Sequence, residues 1–587
     1  MPSQDRIKAE IVRRTGYTLA ALSGLIDEHD TIAFDVFGTL LPSYLLQASD
    51  TYEYLEKEHD LPGFRAARQK SEQLARRRFG SDETPEISLD EIYQVLSVLF
   101  PGHGVGPHDE FLAEISYRFA DPAIGEILKI ARQKGKRIVG LSDACLHKGQ
   151  VAHLFEVNGI ELDELYVSPD IRHDGPAPFS GSVFSFMIQE ERIEPQRVLY
   201  FGADANIGLV SNALSVHVQP LADCMRWDDI PFNYFNRAGE TPTTKLIRGH
   251  IAARLPHYDP EESDLYIFGY NMAGPLLLGF CDYIRQNANN DGVDQILFSQ
   301  SVDHVIRQAV EISQPLVPQV SVFDPADKRS TDAGSAKEGA GTHGKPQNVA
   351  FVDVDWNPGT LELVKERTNA HVRGYFLGTK RDAGSGRGYL FGGEFAGDAE
   401  PEPTQCDQLI KLLFSSPLAE AIDPSPEAGD ARSTISFAKT RAFAVQCVQR
   451  GALDFLRSAC SRQDTMDGQE LADYNRFAFC QLASAPTKRE FSAFAAVPFC
   501  LEPDKRTWGC IEDTWVIDWQ SRQRQVGLEN NQLRQLRNYD WLLPASLKRL
   551  SLRDDIDQMD WRREMLRHPL KVSYWNSIRR YLRRKAD

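Results

Sequence analysis

The sequence predicts an α/β protein: a doubly wound parallel sheet with a helical cap insertion, then a second α/β module and a helical, basic carboxy-terminal segment. Three observations predict it. The run DTIAFDVFGTLL, ending at Leu41, reads as a buried strand entering a Gly-Thr turn. Segments of helical periodicity then alternate with the short apolar runs RIVGLSD, ELYVS and RVLYFGAD, and this alternation builds a parallel sheet. At 587 residues the chain is too long for one cooperative core, so two or three domains are expected.

The first domain is expected over 1–240, with its sheet drawn from about 28–44 and 121–220. Between these, SYLLQASDTYEYLEKEHD and DEIYQVLSVLF place apolar residues at helical spacing, so about 45–120 reads as a helical cap. The helix ILKIARQKGK precedes RIVGLSD, KGQVAHLFEVNG precedes ELYVS, and SVFSFMIQEER precedes RVLYFGAD. A second module is expected over 241–520, with a helix near Leu265 leading into the strand at QILFSQS and a later strand, VAFVDVDW. Its stretch at about 325–347 is rich in Gly, Ser, Lys and Asp, which predicts a disordered surface insertion; similar stretches at 381–405 and 421–434 punctuate the module. Residues 521–587 read as helical.

Composition narrows the classes of function. No apolar run approaches the roughly 20 residues of a membrane span, and the polar start MPSQDRIKAEIVRRTG lacks the apolar core of a secretory signal, so a cytoplasmic chain is expected. The nine cysteines never fall two or three apart, which leaves no local zinc knuckle. A net charge of −17 argues against nucleic acid as a partner, since phosphate neutralisation needs a basic face. The charge is uneven: 562–587 holds nine Arg or Lys against Glu564 and Asp587, a local +7.

A carboxylate at the end of a first buried strand, followed by Gly-Thr, suits a nucleophilic aspartate on a tight turn, and Asp35 fits. The same pattern also occurs where an acid merely caps the next helix. Ser142 closes the second strand with a hydroxyl where a phosphate oxygen needs a donor, and Asp204 closes a later one with an acid.

With these motifs in this order, residues 30–220 resemble the haloacid dehalogenase superfamily. The resemblance implies that Asp35 forms a covalent intermediate, that Ser142 with Gly38 and Thr39 receives the substrate's phosphate, and that Asp35 and Asp204 help bind Mg2+. This chain departs from the pattern in three places. The acid expected two places after the nucleophile is Phe37, which cannot donate a proton. No lysine lies between Lys148 and Lys245, leaving Arg172 or His173 as the cation of that motif. The last motif reads Gly202-Ala203 and Gly208 where acids are expected.

The stretches GYNMAGPLLLGFCDYIRQNANNDGVDQILFSQS, FVDVDWNPGTLELV, VRGYFLGT, QLIKLLFSSP and VQRGALDF resemble a narrower bacterial family, predicted two-module hydrolases of surface-polysaccharide gene sets. A phosphorylated sugar or sugar-lipid is the substrate or ligand this implies. Where that family carries an Arg-Asp-Gly turn, this chain reads Gln300-Ser301-Val302-Asp303. Asp353, Asp355, Gly359 and Thr360 form a strand-end turn that suits phosphate or sugar on backbone amides, or else an ordinary capped turn. Finally, WRREMLRHPLKVSYWNSIRRYLRRKAD interleaves aromatics with seven arginines; such a helix suits an anionic membrane surface on its cytoplasmic face, or docking on the acidic body. Two readings remain open: a hydrolase using Asp35, or a binding or scaffold protein of a glycan-assembly complex that has lost turnover.

Overall fold

The computed structural model describes residues 4–79, 87–174, 182–203, 213–221, 223, 230–234, 240–254, 263–300, 303–313, 316, 318–324, 347–355, 358–378, 386–391, 413–414, 431–460, 466–484, 490, 493–494, 497, 499–502 and 507–509. The chain forms two compact units. The first comprises Met1–Arg226, Thr241–Pro260 and Arg462–Thr465; the second comprises Trp227–Glu240, Glu261–Ser461 and Met466–Asp587.

In the first unit, helices α1 (Gln4–Thr15) and α2 (Leu19–Glu28) precede a five-stranded sheet. Its strands are β1 (Thr31–Asp35), β2 (Arg137–Ser142), β3 (Glu164–Val167), β4 (Val198–Gly202) and β5 (Leu214–His217). They run parallel in the order β3-β2-β1-β4-β5. The central strands are apolar on both faces because helices cover both, the reason their sequences show continuous runs in place of alternation. Phe34 of β1 stacks on Phe201 of β4 with centroids 5.1 Å apart; burying each such ring stabilises by roughly 2–3 kcal/mol.

Among the described residues the insertion after β1 holds four helices ahead of α7: α3 (Ala48–Glu58), α4 (Phe64–Phe79), α5 (Leu89–Leu99) and α6 (Pro107–Tyr117). They hold a buried ionic core, where Arg68 clasps Glu110 through two bonds of 2.8 Å and lies over the Tyr52 ring. The chain re-enters the sheet layer through α7 (Pro122–Gln133), which starts sharply because the Asp121 carboxylate accepts from the amides of Ala123 and Ile124 and Pro122 opens the first turn. Helix α8 (Lys148–Asn158) crosses from β2 to β3, and α9 (Ser168–Asp174) and α10 (Val183–Glu191) lie between β3 and β4.

The boundary expected at residue 240 falls elsewhere. Helix α11 (Pro242–Arg254) belongs to the first unit, where Lys245 bridges Asp50 and Glu53 at 2.9 and 2.7 Å and His250 stacks on Tyr44. These partners stand almost 200 residues away, so helical periodicity alone gave no clue to them.

The second unit is also built on five parallel strands: β6 (Gln295–Ser299), β7 (Gln319–Phe323), β8 (Asn348–Asp355), β9 (His371–Gly378) and β10 (Gly386–Phe391), in the order β10-β9-β8-β6-β7. Counted within the sheet, this is the doubly wound order 2-1-3-4-5. Strand β10 lies inside the Gly-rich stretch 381–405. The helices are α12 (Asp264–Phe268), continuing through a π turn at Gly269–Ala273 into α13 (Gly274–Asn290), then α14 (Asp303–Ile312), α15 (Pro358–Thr368), α16 (Ala431–Cys460) and α17 (Gly468–Ser484). A Cβ on Gly269 would stand 2.2 Å from the Val448 carbonyl oxygen, and one on Gly451 2.3 Å from that of Tyr266. Helices α12 and α16 therefore touch backbone to backbone, as only glycine permits. The expected insertion at 325–347, apart from residue 347, and the helical end at 521–587 lie outside the described residues.

Candidate active site

Asp35 is the last residue of β1, aligned with Leu141 of β2. The connections of the first sheet reverse direction between β1 and β4, and Asp35 stands at the carboxyl end of β1 at that switch point, the position where open α/β sheets bind ligands. The turn that follows is closed by its own backbone: the Val36 amide donates to Leu141 O at 3.0 Å, Leu40 to Asp35 O at 3.3 Å, and Leu41 to Val36 O at 2.8 Å. Gly38 sits at φ +83°, which disfavours any other residue there. Thr39 is fully buried and donates from Oγ1 to Asp35 Oδ2 at 3.4 Å, so it orients the carboxylate. Beneath the turn lies the fully buried Arg14. It pairs with Asp121 and donates to Gly38 O at 3.3 Å and to Gln219 O at 2.9 Å.

Burial, and then the charge of Asp143, push the Asp35 carboxyl up to about 7; the Thr39 hydroxyl, the Val36 amide and the Arg118 guanidinium work against that rise. Arg118 emerges just after α6, at the return from the cap. Its Nε lies 2.6 Å from Glu114 Oε2, its Nη1 donates to Leu41 O at 3.1 Å, and its guanidinium carbon stands 4.6 Å from the centroid of the Phe37 ring. Ser142 ends β2, next to Asp35; it is buried, and its Oγ accepts from the Ala144 amide at 3.2 Å, which leaves its proton to donate. Farther along the same edge His147 Nδ1 lies 2.6 Å from Asp170 and Nε2 3.4 Å from Asp90; burial opposes its charge, but the two carboxylates hold its pKa above the ordinary value.

Asp35, Gly38, Thr39 and Ser142 thus share two adjacent strand ends. Arg172 lies on α9 and its side chain is outside the described residues, as is all of Asp204. Lys148 pairs with Glu164 at 2.6 Å. Among the described residues no group of three or more His, Cys, Asp or Glu is arranged to hold a metal ion. Among the described residues, Asp35 with Asp143 nearby is a thin donor set for magnesium.

In the second unit the connections reverse between β6 and β8, and there Ser299 donates to Asp353 Oδ1 at 2.8 Å across the switch point. The Val354 amide donates to the same oxygen at 2.8 Å. Asp355 ends β8, with its side chain outside the described residues, and Gly359 and Thr360 lie in the first turn of α15. Sequence reasoning missed Arg14, Arg118 and Ser299 and passed over Asp143. Asp143 was legible as the acid immediately after Ser142; the others depend on contacts no motif announces.

A scan against protein-family models and a search of curated proteins give no match to this chain. Among the described residues no helix is long and apolar enough to cross a membrane. The basic stretch 562–587 lies outside them.

Proposed function

We propose that the first unit is a haloacid-dehalogenase-like hydrolase that binds a phosphorylated sugar or sugar-lipid, with Asp35 as nucleophile and Ser142 as phosphate donor, in bacterial surface-polysaccharide synthesis. The observation that carries the reading is Asp35 itself, a desolvated carboxylate on a tight Gly-Thr turn at the switch point of a 3-2-1-4-5 sheet. The substrate class and setting rest on the sequence resemblance alone, and so does a role for Mg2+.

A second reading, a binding or scaffold protein without turnover, is favoured by Phe37. The position that would protonate a leaving group holds an aromatic ring beneath a guanidinium, and neither group there can supply a proton. Hydrolysis of a broad phosphate-ester panel, with and without magnesium, by the native chain and by Asp35→Asn separates the two. The hydrolase reading expects turnover that the variant loses. Inert native protein that still binds a sugar phosphate leaves the second reading.

A further inference from the structure

We propose that Arg118 is the residue that grips the anionic group of the ligand beside Asp35, taking the place of the lysine missing from the chain between residues 148 and 245. The inference rests on reading the switch point at Asp35 as an anion-handling site and adds the residue that does the gripping.

Four observations support it. Arg118 stands at the turn that follows Asp35, since its guanidinium lies over Phe37, two residues beyond it. Its charge acts on the Asp35 carboxyl and favours its ionised form. It is held in place: Nε is tied to Glu114, Nη1 to Leu41 O, and its backbone forms a bridge with Ser43, so little side-chain freedom is left to lose on binding. Lastly, among the described residues nothing accepts a hydrogen bond from Nη2, so donors remain for an incoming oxyanion. The ring of Phe37 thereby acquires a purpose: it forms the platform over which the guanidinium is held.

Glu114 competes with the ligand for this charge, and that gives the inference a test with opposite signs. Inorganic phosphate is titrated calorimetrically into the full-length native chain, Arg118→Met, Arg118→Lys and Glu114→Gln. The expected result is a loss of about tenfold or more in phosphate affinity for Arg118→Met and a smaller loss for Arg118→Lys. Glu114→Gln, which keeps a hydrogen-bond acceptor but drops the competing charge, is expected to tighten binding about threefold. A merely structural arginine would not respond to Glu114→Gln by gaining affinity, and that variant remains informative if Arg118→Met fails to fold. The inference is overturned if the native chain binds no phosphate, if Arg118→Met binds as the native chain does, or if Glu114→Gln leaves binding unchanged or weaker. Its failure is distinct from failure of the hydrolase reading: phosphate binding that depends on Arg118 without ester turnover sinks only the latter, and turnover lost in Asp35→Asn with Arg118-independent binding sinks only the former.

Discussion

The two sheets offer the same topological position to an aspartate and treat it in opposite ways. Asp353 is satisfied: a hydroxyl and an amide both donate to its Oδ1 at 2.8 Å, tying β6 to β8. Asp35 is held more loosely: its hydroxyl donor stands at 3.4 Å, and this bond and the Val36 amide are outweighed by burial and a nearby acid, which push the carboxyl up to about 7. A carboxylate committed to its own scaffold has little left for a ligand, whereas one kept under-solvated costs stability and is the kind of group that clusters at functional sites. The contrast is the reason the proposed chemistry is sought at Asp35, while the Asp353 carboxylate fastens β6 to β8.

Four measurements can break or sharpen this contrast. Asp35→Asn is expected to lower ester hydrolysis by about 10³-fold or more while Asp353→Asn leaves it within about twofold; equal losses in both would erase the distinction. Arg14→Met leaves Asp121 buried without its partner and should cost the first unit about 3–5 kcal/mol in urea denaturation. The third test is pH. An acid whose pKa is raised by folding, here from 3.8 to about 7, stabilises the fold below pH 4, and that contribution is lost as pH climbs through 7. Asp35→Asn should therefore match the native chain near pH 4 and exceed its stability at pH 8 by on the order of 2–4 kcal/mol; parallel pH profiles would show that Asp35 is not desolvated. The smallest effect is expected of Ser299→Ala, about 1 kcal/mol in the second unit, because a single neutral hydrogen bond is lost.

The central strands of the first sheet were legible because they are buried on both faces and so stand out as continuous apolar runs, and because the Gly-Thr turn marks where β1 ends; the edge strand β5, with Val216 alone buried, carried no such signal. Strand β10 was not, since its Gly386 and Gly388 make it look like the loop around it. The amino end of α16 was hidden in the same way, because Ala431 lies within a stretch read as punctuation. At the site, Asp35 and Ser142 carry motif signals because tight turns constrain residue type. Arg118 carries none: its meaning comes from lying over Phe37, some 80 positions away in the chain. Arg14 likewise looks like one more charge on a polar helix until its partners at Asp121, Gly38 and Gln219 are seen.

Helix α11 bears on how the protein can be dissected. From Thr243 to Ala252 every residue except Arg248 is buried, and Gly249 rests against the Tyr44 backbone so closely that a Cβ there would stand 1.7 Å from its carbonyl oxygen. A fragment cut at residue 240 would strip this brace from the hinge between nucleophile turn and cap, leaving Asp50 and Glu53 without the lysine that neutralises them. The complementary fragment would begin with a helix whose normally buried Leu246, Ile247 and Ile251 are left uncovered. Recombinant truncations of the first unit should therefore extend to at least Arg254.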